Sequence, residues 1–203
     1  MTGRGPYAKS VEVKRGILEA CMTAFGESGF HGVSMAEVAR RAGISHTGLL
    51  HHFPNKEILL ASVLTMLDFR AARYLEEHAD RDGDDPLTAI HGLLDTVIGR
   101  RRSIGATELS TILPAEATAK GHPAHEHFRE RYSSIRRFLS RQFRALLEQD
   151  RMNTALSPDQ LAATIVAVTE GLQTQWLYEP GAVDIDGAVV AVLGAFIPEL
   201  EAR

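Results

Sequence analysis

The tightest constraint on the fold is one glycine. Gly43 stands between two short apolar-periodic runs in VSMAEVARRAGISHTGLLHHFPNKE, residues 33–57. Glycine alone enters a left-handed backbone conformation without a Cβ penalty, so the first run has to stop beside it. That run opens at Ser34, with Glu37 at the spacing of a capping box, and sets Met35, Val38, Ala39 and Ala42 on one face. The second opens at Ser45, an N-cap residue, and turns Leu49, Leu50 and Phe53 inward before Pro54 ends it. Ile44 plugs the corner. Two helices of about two turns joined by a short glycine turn make a helix-turn-helix unit, whose second helix can enter the major groove of DNA. An ordinary corner between two helices gives the same pattern, and spacing alone does not separate the two readings.

The outward side chains of the second helix are Ser45, His46, Thr47, His51 and His52, all short and able to hydrogen-bond. Ahead of the pair, residues 10–28 read as a helix with Val13, Ile17, Ala20, Cys21 and Ala24 in one stripe. Gly29 stops it and Phe30 serves as the apolar residue behind the stop. Lys14 and Arg15 lie on its outer face, where a phosphate contact and plain solvation are equally open. Three helices then close a small core.

Residues 13–60 closely resemble the DNA-binding domain of the tetracycline-repressor (TetR) family of bacterial transcription regulators. The match runs through KRGILEACMTAFGESGFHGVSMAEVARRAGISHTGLLHHFPNKEILL. Its landmarks come in order: an Ile-Leu-Glu-Ala helix ending in Phe-x-x-x-Gly-Phe, the Val-Ala-x-x-Ala-Gly-Ile-Ser turn, and His-His-Phe-Pro-x-Lys-Glu. The tyrosine usual before the paired histidines, which touches a phosphate in the family, is Leu50 here. The family's common Lys-Gly-Thr is His46-Thr47-Gly48. The resemblance implies an all-α homodimer with an N-terminal three-helix DNA-binding domain and a C-terminal helical bundle for ligand binding and dimerisation. It further implies a near-palindromic double-stranded operator, a small-molecule effector and, most often, repression. DNA contacts are expected from Ser34, Ser45, His46, Thr47, Gly48, Leu50, His51 and Lys56. Of these, His46 and Thr47 would read base edges, while Ser45, His51 and Lys56 would hold phosphates.

A net charge of −4 over 203 residues looks wrong for a DNA binder until it is divided. Residues 1–55 hold six Lys and Arg against four Glu, a net of +2, which leaves −6 for the remainder. The lone cysteine, Cys21, has no intramolecular partner. With no charged-then-apolar leader and no apolar run near 20 residues, a cytoplasmic protein is expected. The expected division is a flexible arm at 1–9, a DNA-binding domain at 10–55, and an effector-binding and dimerisation domain at 56–203.

Asn55 caps a long helix running from Lys56 toward Ala79. Further helices are expected over 86–103, over 107–117 with Pro114 as an interruption, and over 124–149. The stretch Arg100-Arg101-Arg102 reads as cations complementing a helix C-terminus. Ser157-Pro158-Asp159-Gln160 starts another helix, and a last one spans 186–200. The final two are apolar around so much of their circumference that a two-fold dimer is the simplest remedy. Its contacts are assigned to Leu161, Ile165 and Val168, and to Val189, Val192, Leu193 and Phe196.

An effector pocket within the helical body would be walled by Leu94, Ile98, Leu109, Ile112 and Leu113, and by Phe128, Tyr132, Ile135, Val168, Leu172 and Trp176. His91, Thr169 and Gln173 would be its polar anchors, though each of these residues is as readily core. His122, His125 and His127 with Glu126 are the one cluster with metal-ligand residue types, and a polar helix start explains them better; no metal and no cofactor are expected. The chain has no phosphate-binding glycine loop, nucleophile elbow or carboxylate pair in apolar surroundings, so an enzyme is not expected.

Overall fold

The computed structural model describes residues 6–78, 85–98 and 104–200, without the side chains of 6–9, 74–78, 97 and 98. Among the described residues the regular structure is all helical. The helices are α1 Pro6–Gly32, α2 Met35–Arg41, α3 His46–His52, α4 Lys56–His78, α5 Pro86–Ile98, α6 Ile104–Glu116, α7 His125–Glu148, α8 Pro158–Tyr178 and α9 Ile185–Gly194, followed by a 3-10 turn at Pro198–Leu200. The chain forms two compact units. One joins Met1–Arg70 with Ser103–His125, and the other joins Ala71–Arg102 with Glu126–Arg203.

In the first unit Ile17, Cys21, Phe25, Leu49, Leu59 and Leu113 are completely buried. Helix α6, which a division at Asn55 assigns to the body, packs on α1 within this unit. Two glycines allow the approach. A Cβ on Gly26 would come within 2.8 Å of the Gly105 carbonyl oxygen and 3.1 Å of the Leu109 nitrogen. Helix α6 starts earlier than expected and runs through Pro114 to Glu116 instead of being interrupted. A proline two residues from a helix end removes one backbone bond, and the helix closes past it with the Ala117 N–H on the Leu113 carbonyl at 2.9 Å.

The second unit packs α5, α7, α8 and α9 around Ile90, Leu139, Phe143, Leu146, Leu161, Ile165, Val189 and Leu193. Helix α8 opens on the expected capping box: Ser157 Oγ accepts the Gln160 N–H at 3.2 Å, and Gln160 Oε1 accepts the Ser157 N–H at 2.9 Å. Helix α9 opens on Asp184 and stops at Gly194, short of the continuous helix expected to residue 200. Pro198 disfavours helix at Ile197, so the chain turns there and Leu193 O takes both the Phe196 and Ile197 N–H groups at 2.9 Å. Arg151 clamps the unit's ends, with Nη1 2.5 Å from Asp85 Oδ1 and Nε 2.6 Å from Glu199 Oε1.

Candidate nucleic-acid interface

The local geometry of α2 and α3 follows from five small residues. Ser34 Oγ accepts the Glu37 N–H at 3.2 Å, which is half of the expected capping box. The other half is replaced, because the Glu37 carboxylate turns to Arg40 Nε at 2.8 Å and Arg41 Nε at 2.6 Å. Those two bonds hold the Glu37 carboxyl well below its usual range, at about 2. Arg41 also reaches Glu27 of α1 at 2.6 Å, so α2 is pinned to α1 by a bridged pair of carboxylates.

Ala42 caps α2 and Gly43 follows at φ 69°. The Ile44 N–H bonds Ala39 O at 3.0 Å and the Gly43 N–H bonds Arg40 O at 3.2 Å, the pair of bonds of a Schellman stop. Ser45 then caps α3, its Oγ accepting the Gly48 N–H at 3.0 Å. A Cβ on Gly48 would lie 3.1 Å from that oxygen, tight enough that the cap would have to give. Gly48 is thus the residue that lets the helix start cleanly.

The result is a short helix with Leu49 fully buried and Ser45, His46, Thr47, Leu50 and His51 exposed on the outside. Leu50, expected to face inward, is 37% exposed, since α3 turns only Leu49 into the core before Phe53 follows it in. Ser34 is exposed and Gly48 half-buried.

Asn55 Oδ1 accepts the Ile58 N–H at 2.8 Å and starts α4, which sets Lys56 in the first turn. The Lys56 ammonium sits over the Phe30 ring, 4.5 Å from its centre. Burial lowers its pKa against the opposing pull of Glu116, Glu57 and Cys21. Phe30 is itself anchored from far along the chain. Helix geometry breaks at Gly29 (φ 69°, ψ 177°), as expected, but the chain resumes a helical turn instead of leaving. The break leaves the N–H groups of Phe30 and His31 aimed at the end of α6. They donate to the two oxygens of Glu116, at 2.6 and 3.0 Å. Glu116 was not among the expected site residues, and local periodicity carries no signal for a contact spanning 86 positions.

The expected pocket walls are drawn from both units. Leu109, Ile112 and Leu113 belong to the first unit, whereas Leu94, Phe128, Tyr132, Ile135, Val168, Leu172 and Trp176 belong to the second. The side chain of Ile98 lies outside the described residues, as do Arg4 and the 100–102 arginines. Leu109 and Leu113 are core at 1% and 0% exposure, while Ile112 points out at 38%. In the second unit Phe128 stacks at a tilt on Tyr132, whose hydroxyl donates to Glu170. Burial raises the Glu170 pKa, against the lowering influence of Tyr132 and Arg131. Thr169 and Gln173, expected as polar anchors, are buried beside it on α8.

The expected dimer contacts need correction. Leu161, Ile165, Val189 and Leu193 are enclosed by the chain's own core at 1% exposure or less, and cannot form an outer face. Val168, Val192 and Phe196 remain partly exposed. The outer side of α8 includes Ala163, Thr164, Ala167, Gly171, Thr174, Gln175 and Tyr178, and Val190 and Ala191 stand out on α9. Four of the seven expected contacts are core-facing; what remains outside on α8 is mostly small or polar, with Tyr178 exposed at its end.

The family model for bacterial regulatory proteins of the tetR family matches residues 17–63, and that for the BetI-type transcriptional repressor C-terminal region matches residues 89–200, more than half of the chain. The chain belongs to the TetR family of bacterial regulatory proteins. Within that family it is 41% identical over 66 residues to the HTH-type transcriptional regulator RutR of Escherichia coli K12, a match covering 32% of this chain and 31% of RutR. The chain thus spans about a third of the length of that relative.

The fold is similar to that of native NalD, the secondary repressor of the MexAB-OprM multidrug efflux pump in Pseudomonas aeruginosa. The TM-score is 0.70 at 22% identity, covering 93% of this chain and 98% of that one. It is similar also to AibR in complex with isovaleryl coenzyme A and operator DNA, with a TM-score of 0.71 at 23% identity, covering 92% and 98%. At such identities the TetR-family likeness bears on fold. No described helix is long and apolar enough to cross a membrane.

Proposed function

We propose that the protein is a dimeric, sequence-specific DNA-binding regulator, a repressor released by a small-molecule effector. The observation that carries this reading is the first turn of α3. His46 and Thr47 are exposed side by side, directly behind a Ser45 cap, on a helix whose other side is locked by Leu49. Side chains so placed can meet base edges, while the cap hydroxyl, His51 and the start of α4 lie within reach of phosphates. Residues 10–55 supply DNA recognition, and residues 56–203 supply effector binding and dimerisation. RutR is a transcriptional regulator, NalD a repressor and AibR a protein crystallised with operator DNA and isovaleryl coenzyme A, which supports the same class of activity here.

The dimer is assigned to the outer faces of α8 and α9, through the small residues Ala163, Ala167, Gly171 and Ala191 together with the partly exposed Val168, Val192 and Phe196. Helices with small outer residues pack closely in a four-helix bundle. Effector binding in the second unit would shift the spacing of the two heads. A coupling of about 1–3 kcal/mol changes operator affinity roughly 5- to 150-fold.

Selection of bound sequences from a random DNA pool tests the reading, with a two-fold symmetric consensus as the expected result. A rival reading has support in Lys56, whose ammonium is turned onto Phe30, and in the exposed Leu50. A dimer that binds a small molecule without reading DNA would return no consensus, and retention of DNA solely at low salt would identify it.

A further inference from the structure

His31 meets Glu116 and His122, more than eighty positions further along the chain, where α1 ends. His31 Nε2 lies 3.9 Å from Glu116 Oε1, and His122 Nε2 lies 4.0 Å from Glu116 Oε2. All three sets of ligating atoms fall within 4.8 Å of one another. The His122 side chain is 1% exposed, and its Nε2 has no hydrogen-bond partner although it faces the carboxylate. A buried polar nitrogen left unpaired is costly and calls for an explanation. His125, which sequence grouped with His122, is turned elsewhere and holds Ala117 O at 2.8 Å through Nδ1.

We propose that His31, Glu116 and His122 bind one divalent transition-metal ion of the zinc type, with water completing the shell on the exposed His31 side. Two imidazoles and one carboxylate make a nitrogen-rich set that suits zinc and its neighbours and does not suit magnesium or calcium. Ligand atoms around a tetrahedral zinc with bonds of about 2.0–2.1 Å stand roughly 3.3 Å apart, so the cluster has to contract. His31, 73% exposed, is the member that can swing inward. Glu116 is already aimed: each of its oxygens accepts one backbone N–H, from Phe30 and from His31, and keeps a lone pair for the ion.

One bond opposes capture. The Ala124 N–H donates to His122 Nδ1 at 3.1 Å, which places the ring proton on Nε2. Binding at Nε2 moves that proton to Nδ1 through solvent, and the Ala124 N–H loses its acceptor. No net proton is released by this ring. The Lys56 ammonium, close enough to sense Glu116, is a second opposing group. Affinity is therefore lower than in a closed structural zinc site, and Ala124 becomes the reporter of occupancy.

The experiment is zinc titration of the full chain without a histidine tag, read by bound metal after dialysis, by the thermal midpoint and by the Ala124 amide resonance. One zinc per chain, a midpoint that rises with zinc and a displaced Ala124 signal are expected. His31→Ala, at an exposed position, should keep the metal-free midpoint while zinc affinity falls at least tenfold, and Glu116→Gln should lose the zinc-dependent rise. Absence of saturable uptake, or uptake of equal strength in His31→Ala, would overturn the site. An unmoved Ala124 resonance at saturation would overturn it as well.

Discussion

The carbonyl oxygen of Gly105 lies so close to Gly26 that a Cβ on the latter would stand 2.8 Å from it, inside any ordinary contact. The crossing of α1 and α6 is thus set by the absence of two atoms. Gly26→Ala should force the helices apart and lower stability by roughly 1–3 kcal/mol, read as a fall in urea midpoint. Gly16 on the same helix faces open space, with nothing within 4 Å of a built Cβ. Gly16→Ala should raise stability by about 0.5–1 kcal/mol, and equal effects at both positions would show that helix propensity, not the crossing, governs α1.

DNA recognition separates into two kinds of loss. His46→Ala is expected to narrow the ratio between operator and random-sequence affinity, costing about 1–3 kcal/mol on the operator alone. Lys56→Ala should weaken all sequences alike and reduce the salt slope by about one. Fluorescence anisotropy across a salt series measures both, and equal losses of His46→Ala on operator and random DNA would remove it from base reading.

The caps give a matched pair. Ser45→Ala and Ser157→Ala each remove an N–H acceptor from a helix start. Each should cost about 1 kcal/mol of stability by chemical denaturation. The Ser45 variant alone is expected to lose operator affinity as well, because its helix carries His46 and Thr47.

Glu170 supplies a pH dependence. Its carboxyl pKa is raised in the folded chain, first by burial, so its contribution is fully favourable below the unfolded carboxylate value and is lost as pH rises through the folded one. Glu170→Gln keeps an acceptor for the Tyr132 hydroxyl without the buried charge. It should be more stable than the parent at pH 8 and level with it at pH 4, checked by thermal melts at both. A parent chain more stable at pH 8 than the variant would reverse the assignment.

The helix starts and stops were legible because their determinants are local. Gly43, Ser45, Asn55 and the Ser157 box each act on backbone within four residues, and each stands in the fold where spacing put it. Periodicity also found Leu161, Ile165, Val189 and Leu193, but it reports only that a face is apolar, not what covers it; the chain's own core does. Leu50 misled for the complementary reason, since a two-turn helix has room for one inward leucine and the neighbouring position rolls out. Glu116 and Gly26 were beyond reach, and His122 was singled out but grouped with His125 instead of with His31 and Glu116. Their roles arise when α6 lies against α1, and no window along the sequence contains both partners.

The Glu116 carboxylate that receives the Phe30 and His31 N–H groups has a consequence for synthesis. A ribosome releases α1, α2 and α3 early, yet their closing bond waits for residue 116 of 203, past the midpoint of translation. Until then the nascent head carries two bare donors beside Phe30. The end of α1 becomes a finished object only after residues 71–102 of the second unit have been made.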